Sequence, residues 1–468
     1  MSAVSLSEHD DIVSRLRTLL ADGAVLSGAE IGERYNVDYT GENPREPLAV
    51  VKPGSTEEVA AVLRACSEFG QPLVVQGGLT GLAGGATPRT GEIALSMERL
   101  CGIEELDPVS MTITARAGTP LQAVQDAAAE SGLLLPLDFG ARGSCQIGGA
   151  IATNAGGNQV IRFGMARNLV LGLEAVLADG TVISSMNKML KNNAGYDLKQ
   201  LFVGTEGTLG VITRVVLRLV PRLSSQCTAL CAAESFDSVV DLLRSVRAGL
   251  AGSISAYEVM WASYYDKVLD IVHTLRAPFD DSHPFYVLVE SEGVDQGTDG
   301  ERFESVLAGA LASEMITDAV IAQSESERQT FWAIRDGVGE ITPALSPYVP
   351  LDVSMDIAVM PRFLEAFDEA LAAELPDSEN LVFGHLGDNN LHLFVTTGHE
   401  TENDTVVDLA YGLVGECGGS ISAEHGVGSL KRDFLHHSRT AQEIQLMARL
   451  KQALDPRGIL NPGRVIPG

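Results

Sequence analysis

Along this chain the period of the apolar positions changes several times, and each change marks an element. Residues 11–21 alternate apolar and charged positions at helical spacing, which predicts a surface helix, and 28–47 carry no period. Leu48-Ala-Val-Val51 is an unbroken apolar run of strand length. Ser55 then stands three residues before Glu58 as a capping box, and Val59, Val62, Leu63 and Cys66 follow at helical spacing as far as Gly70. Leu73-Val-Val75 is apolar again. This predicted βαβ unit puts whatever follows residue 75 at the carboxyl end of a parallel strand, where α/β folds place ligands. Strands near 92–96 and 111–117 and a helix at about 119–132 come next. Beyond 222, apolar runs at 227–232, 285–290 and 351–357 alternate with helical segments near 235–250, 298–313 and 360–373, predicting an antiparallel sheet covered by helices. A last helix is predicted around 441–454.

Three glycine clusters interrupt the pattern. Val74–Pro88 holds Gly77, Gly78, Gly81, Gly84 and Gly85 directly after the third apolar run. Glycine leaves main-chain amides uncovered, so successive N–H groups can converge on an anion such as a pyrophosphate. No G-x-G-x-x-G or G-K-[ST] is present, and Pro88 followed by Ile93-Ala-Leu-Ser argues against a helix opening there. Residues 136–164 hold seven glycines, with Ser144, Thr153 and Asn154 among them as hydrogen-bonding groups. Gly204–Ile212 is the third cluster. Each alone reads as a tight turn; together they suggest one long ligand wrapped by backbone.

Length and charge narrow the setting. A chain of 468 residues predicts two or three domains, and a net charge of −29 disfavours nucleic acid and anionic membranes as partners. Six cysteines without a C-x-x-C, no apolar run of membrane-spanning length and no secretory pattern at the N-terminus lead to the expectation of a cytoplasmic protein.

The motifs Gln76-Gly-Gly-Leu-Thr-Gly81, Pro136-Leu-Asp-Phe-Gly-Ala141, Gly143-Ser-Cys-Gln-Ile-Gly-Gly149, Ala152-Thr-Asn-Ala-Gly-Gly157 and Gly195–Phe202 together resemble the D-2-hydroxyglutarate dehydrogenase group of FAD-linked D-2-hydroxy-acid dehydrogenases, from about residue 45 to the C-terminus. The resemblance implies an α+β fold: a vanillyl-alcohol oxidase type FAD-binding domain over 1–222, an antiparallel-sheet cap domain over 223–430 that binds substrate and metal, and a helical C-terminal segment, 431–468, returning to the flavin domain. It also implies FAD contacts from Gln76, Gly77, Gly78, Leu79, Thr80, Gly81, Gly84, Pro136, Asp138, Gly143, Ser144, Gly148, Gly149, Thr153, Asn154, Gly156, Gly157, Glu206, Gly210, Ile212 and Asn461. Members that bind FAD covalently usually use a histidine near these loops. None of the nine histidines lies between His9 and His273, so the flavin is expected to be non-covalent. A 2-hydroxy acid as substrate, an electron-transfer flavoprotein or quinone as electron acceptor, and a homodimer complete what the resemblance implies.

Gly384–Leu393 contains His385 and His392 between two apolar runs. A two-residue hairpin turn at Asp388-Asn389 would set 385 opposite 392, with Cβ atoms about 5 Å apart. Two imidazoles so placed suit Zn²⁺ or a similar divalent ion, with Glu424 able to add a carboxylate oxygen; spacing alone favours paired histidines on a polar strand face. Family resemblance selects the metal site, His385, His392 and Glu424, and leaves His425 as candidate general base. Arg335 matches the family's substrate-carboxylate arginine. The chain departs from the 2-hydroxyglutarate pattern at three anchors: Gly339, Pro350 and Phe394 stand where threonine, lysine and asparagine are expected. Losing one charge-assisted hydrogen bond costs roughly 1.5–3 kcal/mol, so a D-lactate-like substrate is favoured over D-2-hydroxyglutarate. A D-2-hydroxyglutarate dehydrogenase proper, an O₂-using 2-hydroxy-acid oxidase and a non-catalytic flavin subunit of a complex are the competing readings.

Overall fold

The structure, a computed structural model, describes residues 6–250 and 252–467. It divides into two compact units. The first comprises 1–157, 164–222 and 424–468; the second comprises 158–163 and 223–423. Two short pieces fall outside the expected boundaries: 158–163 packs with the second unit, and the chain is back in the first by Glu424 rather than 431.

In the first unit, β1 (Val25–Leu26), β2 (Ala49–Val51), β3 (Leu73–Gln76) and β4 (Ile93–Ser96) form a sheet of order β1-β2-β4-β3, in which β4 runs parallel to both β2 and β3. The predicted βαβ unit therefore straddles β4. Helix α1 (Leu6–Leu19) turns Ile12 and Leu16 inward, and α2 (Thr56–Phe69) begins where Ser55 accepts the Glu58 amide and stops at Gly70, whose φ is 65°. The Glu58 carboxylate reaches the Gly54 amide rather than that of Ser55, so the box closes one residue early. A second, antiparallel sheet follows, β5 (Ile103–Asp107), β6 (Thr112–Arg116), β7 (Val170–Val176), β8 (Val182–Ser185) and β9 (Val211–Arg218), in the order β5-β6-β9-β7-β8. Between β6 and β7 lie α3 (Leu121–Glu130) and the short α4 (Ile147–Ala152). Leu63, Leu73, Leu95, Ile113, Leu121, Ile147 and Val215 share one apolar core between the two sheets.

The second unit is a seven-stranded, wholly antiparallel sheet. Its strands are β10 (Ser225–Ala233), β11 (Ile254–Trp261), β12 (Phe285–Gly293), β13 (Asp318–Ile321), β14 (Tyr348–Ser354), β15 (Glu379–Gly384) and β16 (Asn390–Thr396), in the order β13-β10-β12-β11-β15-β16-β14. The turn α5 (Val160–Phe163) is fastened to it by Arg162, which donates to the Ser253 and Glu292 carbonyls. Helix α6 (Phe236–Gly249) covers one face, where the Tyr257 hydroxyl donates to the Val239 carbonyl at 2.6 Å. On the opposite face Met260, Leu288, Leu381 and Phe383 pack against α7 (Ala262–Ile271), α8 (Glu325–Arg335) and α9 (Val338–Leu345). Pro350, which has no N–H to give a ladder, sits on the edge strand β14.

The C-terminal residues complete the first unit. Leu73 donates to the Ile459 carbonyl and receives the Asn461 amide, so 459–461 lies alongside β3. Arg464, its side chain wholly inaccessible, pairs with Glu92 at 2.6 and 2.8 Å. Arg464→Met leaves the Glu92 carboxylate buried and unpaired, a loss of about 3–5 kcal/mol. Chemical denaturation of the FAD-free protein should show it, and the double variant with Glu92→Gln should recover most of the loss; full stability of the single variant would contradict the pairing.

Candidate active site

The loop after β3 is shaped by contact between backbones. A Cβ on Gly78 would lie 2.1 Å from the Ser144 carbonyl oxygen, so the first glycine cluster rests on the second. Gly157, at φ +127°, is equally closed by the Asp138 carbonyl; Gly148 abuts Ala117, Gly84 the Ser429 hydroxyl and Gly210 the Phe202 ring. These five residues are glycines because the protein packs on itself. Gly143 and Gly149 differ: neither has a positive φ, and a Cβ on either meets nothing within 4 Å. Gly77 likewise makes only ordinary contacts, the nearest to Gln146 Oε1. That oxygen, Gln76 Oε1 and Asp38 Oδ2 are buried without a protein partner. Gly77 and Gly81 lie beside two of these oxygens, those of Gln146 and Asp38, an arrangement that suits a ligand approaching the main chain.

Other predicted residues have protein partners. Asp138 pairs with Arg142, Asn154 accepts the Arg167 amide from a positive-φ backbone, and the Thr153 hydroxyl donates to the Gly149 carbonyl. Leu79, at φ 59°, and Thr80 are half-buried in the first loop, and Pro136, Gly156 and Ile212 are buried. Asn461 ties two clusters together, donating to the Glu206 carbonyl and accepting the Val75 amide. The Glu206 carboxylate accepts the Val427 and Gly428 amides at 2.7 and 2.9 Å, and burial pushes its carboxyl above the usual range. Two residues upstream of that anchor is His425, and the neighbouring Glu424 accepts the Gly157 amide at 2.9 Å. The Glu424–Gly428 stretch is thus woven into the glycine clusters of the first unit.

In the second unit the histidines converge, though not by the predicted register. His392 on β16 is opposed by Phe383, two residues before His385, and His385 leads a short helical turn, Leu386–Asp388, that ends at left-handed Asn389. His385 and His392 are therefore diagonal neighbours on one face, with ring centroids 5.3 Å apart. His392 is also opposite Asp352 on β14, whose carbonyl accepts the amide of Ala423, the residue before Glu424.

Glu258 on β11 was not foreseen. Its carboxylate is 1% exposed, stands 2.8 Å from His385 Nδ1, and accepts Arg335 Nε at 2.8 Å. Burial raises the Glu258 carboxyl, but the charges of His385 and Arg335 more than offset it and hold the group below its ordinary range. Arg335, at the end of α8, also pairs with exposed Asp336 and lies over Phe383. Phe394 faces Pro350 across the β16–β14 ladder and stacks between Tyr348 and Phe383, beside His392. A Cβ on Gly339 would meet nothing.

Residues 47–185 match the FAD binding domain model and 222–465 the C-terminal domain model of FAD linked oxidases. The chain is 39% identical over 444 residues to the D-2-hydroxyglutarate dehydrogenase of Xanthomonas citri pv. viticola, covering 92% of each, and 38% identical to the mitochondrial D-2-hydroxyglutarate dehydrogenase of Bos taurus, covering 99% of this chain and 84% of the relative. It belongs to the FAD-linked D-2-hydroxy-acid dehydrogenases. A putative mitochondrial D-lactate dehydrogenase from Schizosaccharomyces pombe is 34% identical, with 98% of this chain and 90% of that one covered. Among solved structures, p-cresol methylhydroxylase with substrate bound superposes with a TM-score of 0.79 at 17% identity, covering 99% of this chain and 98% of that one. Alkyldihydroxyacetonephosphate synthase gives 0.74 at 17%, covering 97% and 84%. These likenesses show a vanillyl-alcohol oxidase type fold.

The FAD binding domain model covers these loops, and the open Gly143 and Gly149 and the unpartnered Gln146 oxygen fit a cofactor laid against backbone. The donor set at the histidines fits a divalent ion. The Glu258 carboxylate, 2.8 Å from Nδ1, fixes how the His385 ring is turned beside His392. Gly149→Ala should separate the two kinds of glycine. In α4 the added methyl stabilises the apoprotein by about 0.5–1 kcal/mol while weakening FAD binding. Gly78→Ala should destabilise the apoprotein itself. Apoprotein melting and FAD titration measure both, and unaltered FAD affinity in Gly149→Ala would count against the cradle.

Proposed function

We propose that the dehydrogenase oxidises a D-2-hydroxy acid to the 2-oxo acid with the aid of a divalent metal, and that a short or apolar side chain on the acid is preferred. What supports the metal is the pair His385 and His392 converging beside a carboxylate that orients one ring; Glu424 is the third ligand the family pattern supplies. An ion held by His385, His392 and Glu424 would supply positive charge that lowers the pKa of a substrate hydroxyl, as Zn²⁺ does for bound water. Bound FAD supplies the two-electron acceptor for the hydride from C2. The chain's own groups do the rest. His425 accepts the hydroxyl proton, Arg335 directs the substrate carboxylate through its planar fork, and the packed sheet face excludes water. Electrons then leave to a protein or quinone acceptor.

The substrate preference rests on Phe394, opposed by Pro350 and stacked between Tyr348 and Phe383, which gives the surface beside His392 an apolar character. A second carboxylate there would be desolvated against aromatic rings and without the lysine expected at 350. D-2-hydroxyglutarate itself is the second reading, favoured by the names of the relatives that share 39% and 38% identity.

Three measurements test this. A chelator should abolish flavin bleaching by substrate without releasing FAD, and His385→Ala or His392→Ala should do the same. His425→Ala should retain the metal and lose about 10²- to 10⁴-fold in turnover. In a panel of D-2-hydroxy acids with a dye acceptor, D-lactate or D-2-hydroxybutyrate should exceed D-2-hydroxyglutarate in kcat/KM by about ten- to a hundredfold. The reverse order would establish the second reading, and full bleaching by metal-free protein would remove the metal from the reaction.

A further inference from the structure

Arg335 is not a free cation. Its Nε and one terminal nitrogen both lie 2.8 Å from Glu258 Oε2, and another nitrogen pairs with Asp336 at 3.2 Å. The Arg335 and Glu258 side chains are 8% and 1% exposed, so solvent screens this pair little. The same carboxylate holds His385 Nδ1, and Arg335 reaches to 3.1 Å from His385 Nε2. One acid on the interior strand β11 therefore touches both a metal-ligand histidine and the arginine assigned to the substrate carboxylate.

Building on the metal and substrate roles proposed above, we infer that Glu258 is a positioning residue with two tasks. It orients the His385 ring through the contact at Nδ1, and it balances the charge of Arg335 so that a carboxylate binds strongly there only when a divalent ion is also present. The charge count requires the second task. With His385 neutral, as a metal ligand must be, and Asp336 exposed to solvent, arginine and glutamate sum to zero, and a substrate carboxylate brought beside them leaves a buried excess of one negative charge. Such an excess is costly where screening is weak, and a divalent cation removes it. Arg335 then supplies direction and the metal supplies the attraction. Acid binding and metal binding become coupled, each tightening the other, as linkage demands. A stabilising ion pair with no part in recognition would not produce this coupling.

Glu258→Gln separates the alternatives, because the amide keeps the shape and removes the charge. In the FAD-loaded protein, Zn²⁺ affinity measured against a chromophoric chelator should fall by about 10- to 100-fold, as for loss of a group that orients a ligand histidine. In chelator-stripped protein, pyruvate titrated by calorimetry should bind Glu258→Gln more tightly than wild type, by about ten- to a hundredfold, because the Arg335 charge is released. A substitution that only loosened the fold would weaken both. Unchanged zinc affinity, or metal-free pyruvate binding no tighter than wild type, overturns the inference. If Glu258→Gln fails to retain FAD, Glu258→Asp takes its place. With the charge kept and the carboxylate withdrawn by one methylene, zinc should weaken while metal-free pyruvate binding stays as in wild type; intact zinc affinity or tighter pyruvate binding again overturns it. Should the wild-type protein bind no divalent ion, the proposed function falls, and the pyruvate comparison still decides whether Glu258 balances Arg335.

Discussion

The first unit depends on main chain meeting main chain without side chains between. The Ser144 carbonyl occupies the space of a Cβ on residue 78, the Asp138 carbonyl that of residue 157, and the Ala83 carbonyl that of residue 428. Such contacts bring three stretches far apart in sequence into one layer. The buried Glu206 carboxylate closes the arrangement by accepting two amides just beyond His425, and Asn461 fastens Glu206 to β3 from the C-terminus. Loops packed this way have little side-chain freedom to lose when a ligand binds, which suits an extended cofactor.

The second unit solves a different problem, that of keeping charge inside a sheet with helices on both faces. Glu258, Arg335 and His385 do so by satisfying one another at hydrogen-bonding distance. Buried ionic groups seldom stabilise a fold relative to apolar ones of the same size, so their presence points to function. Around them Phe383, Phe394 and Tyr348 form a continuous aromatic row, which makes the surroundings of His392 apolar on one side and charged on the other.

Local patterns were legible residue by residue. Ser55 caps its helix and Gly70 ends it, because both effects involve only neighbours in the chain. The apolar runs at 227–232 and 285–290 are strands of the antiparallel sheet. The hairpin shows the limit: a two-residue turn at Asp388-Asn389 was a sound local expectation, yet a helical turn and a left-handed Asn389 shift the register by two. The histidines still meet because a shift of two preserves the face, whereas a shift of one would have separated them. Glu258 left only a faint mark, a lone acid in the apolar run Ala256-Tyr-Glu-Val-Met260.

The sequence by itself determined the family and the flavin fold, since motifs of adjacent residues carry both. It could not separate glycines that admit a ligand from glycines that admit another stretch of backbone, nor find the unpartnered Gln146 oxygen. It also could not reveal that Arg335 is already neutralised by an acid 77 residues away. Those distinctions belong to tertiary structure, because they depend on which atoms fill the space beside a group, and pairings across that distance in the chain leave no periodic trace in the order of residues.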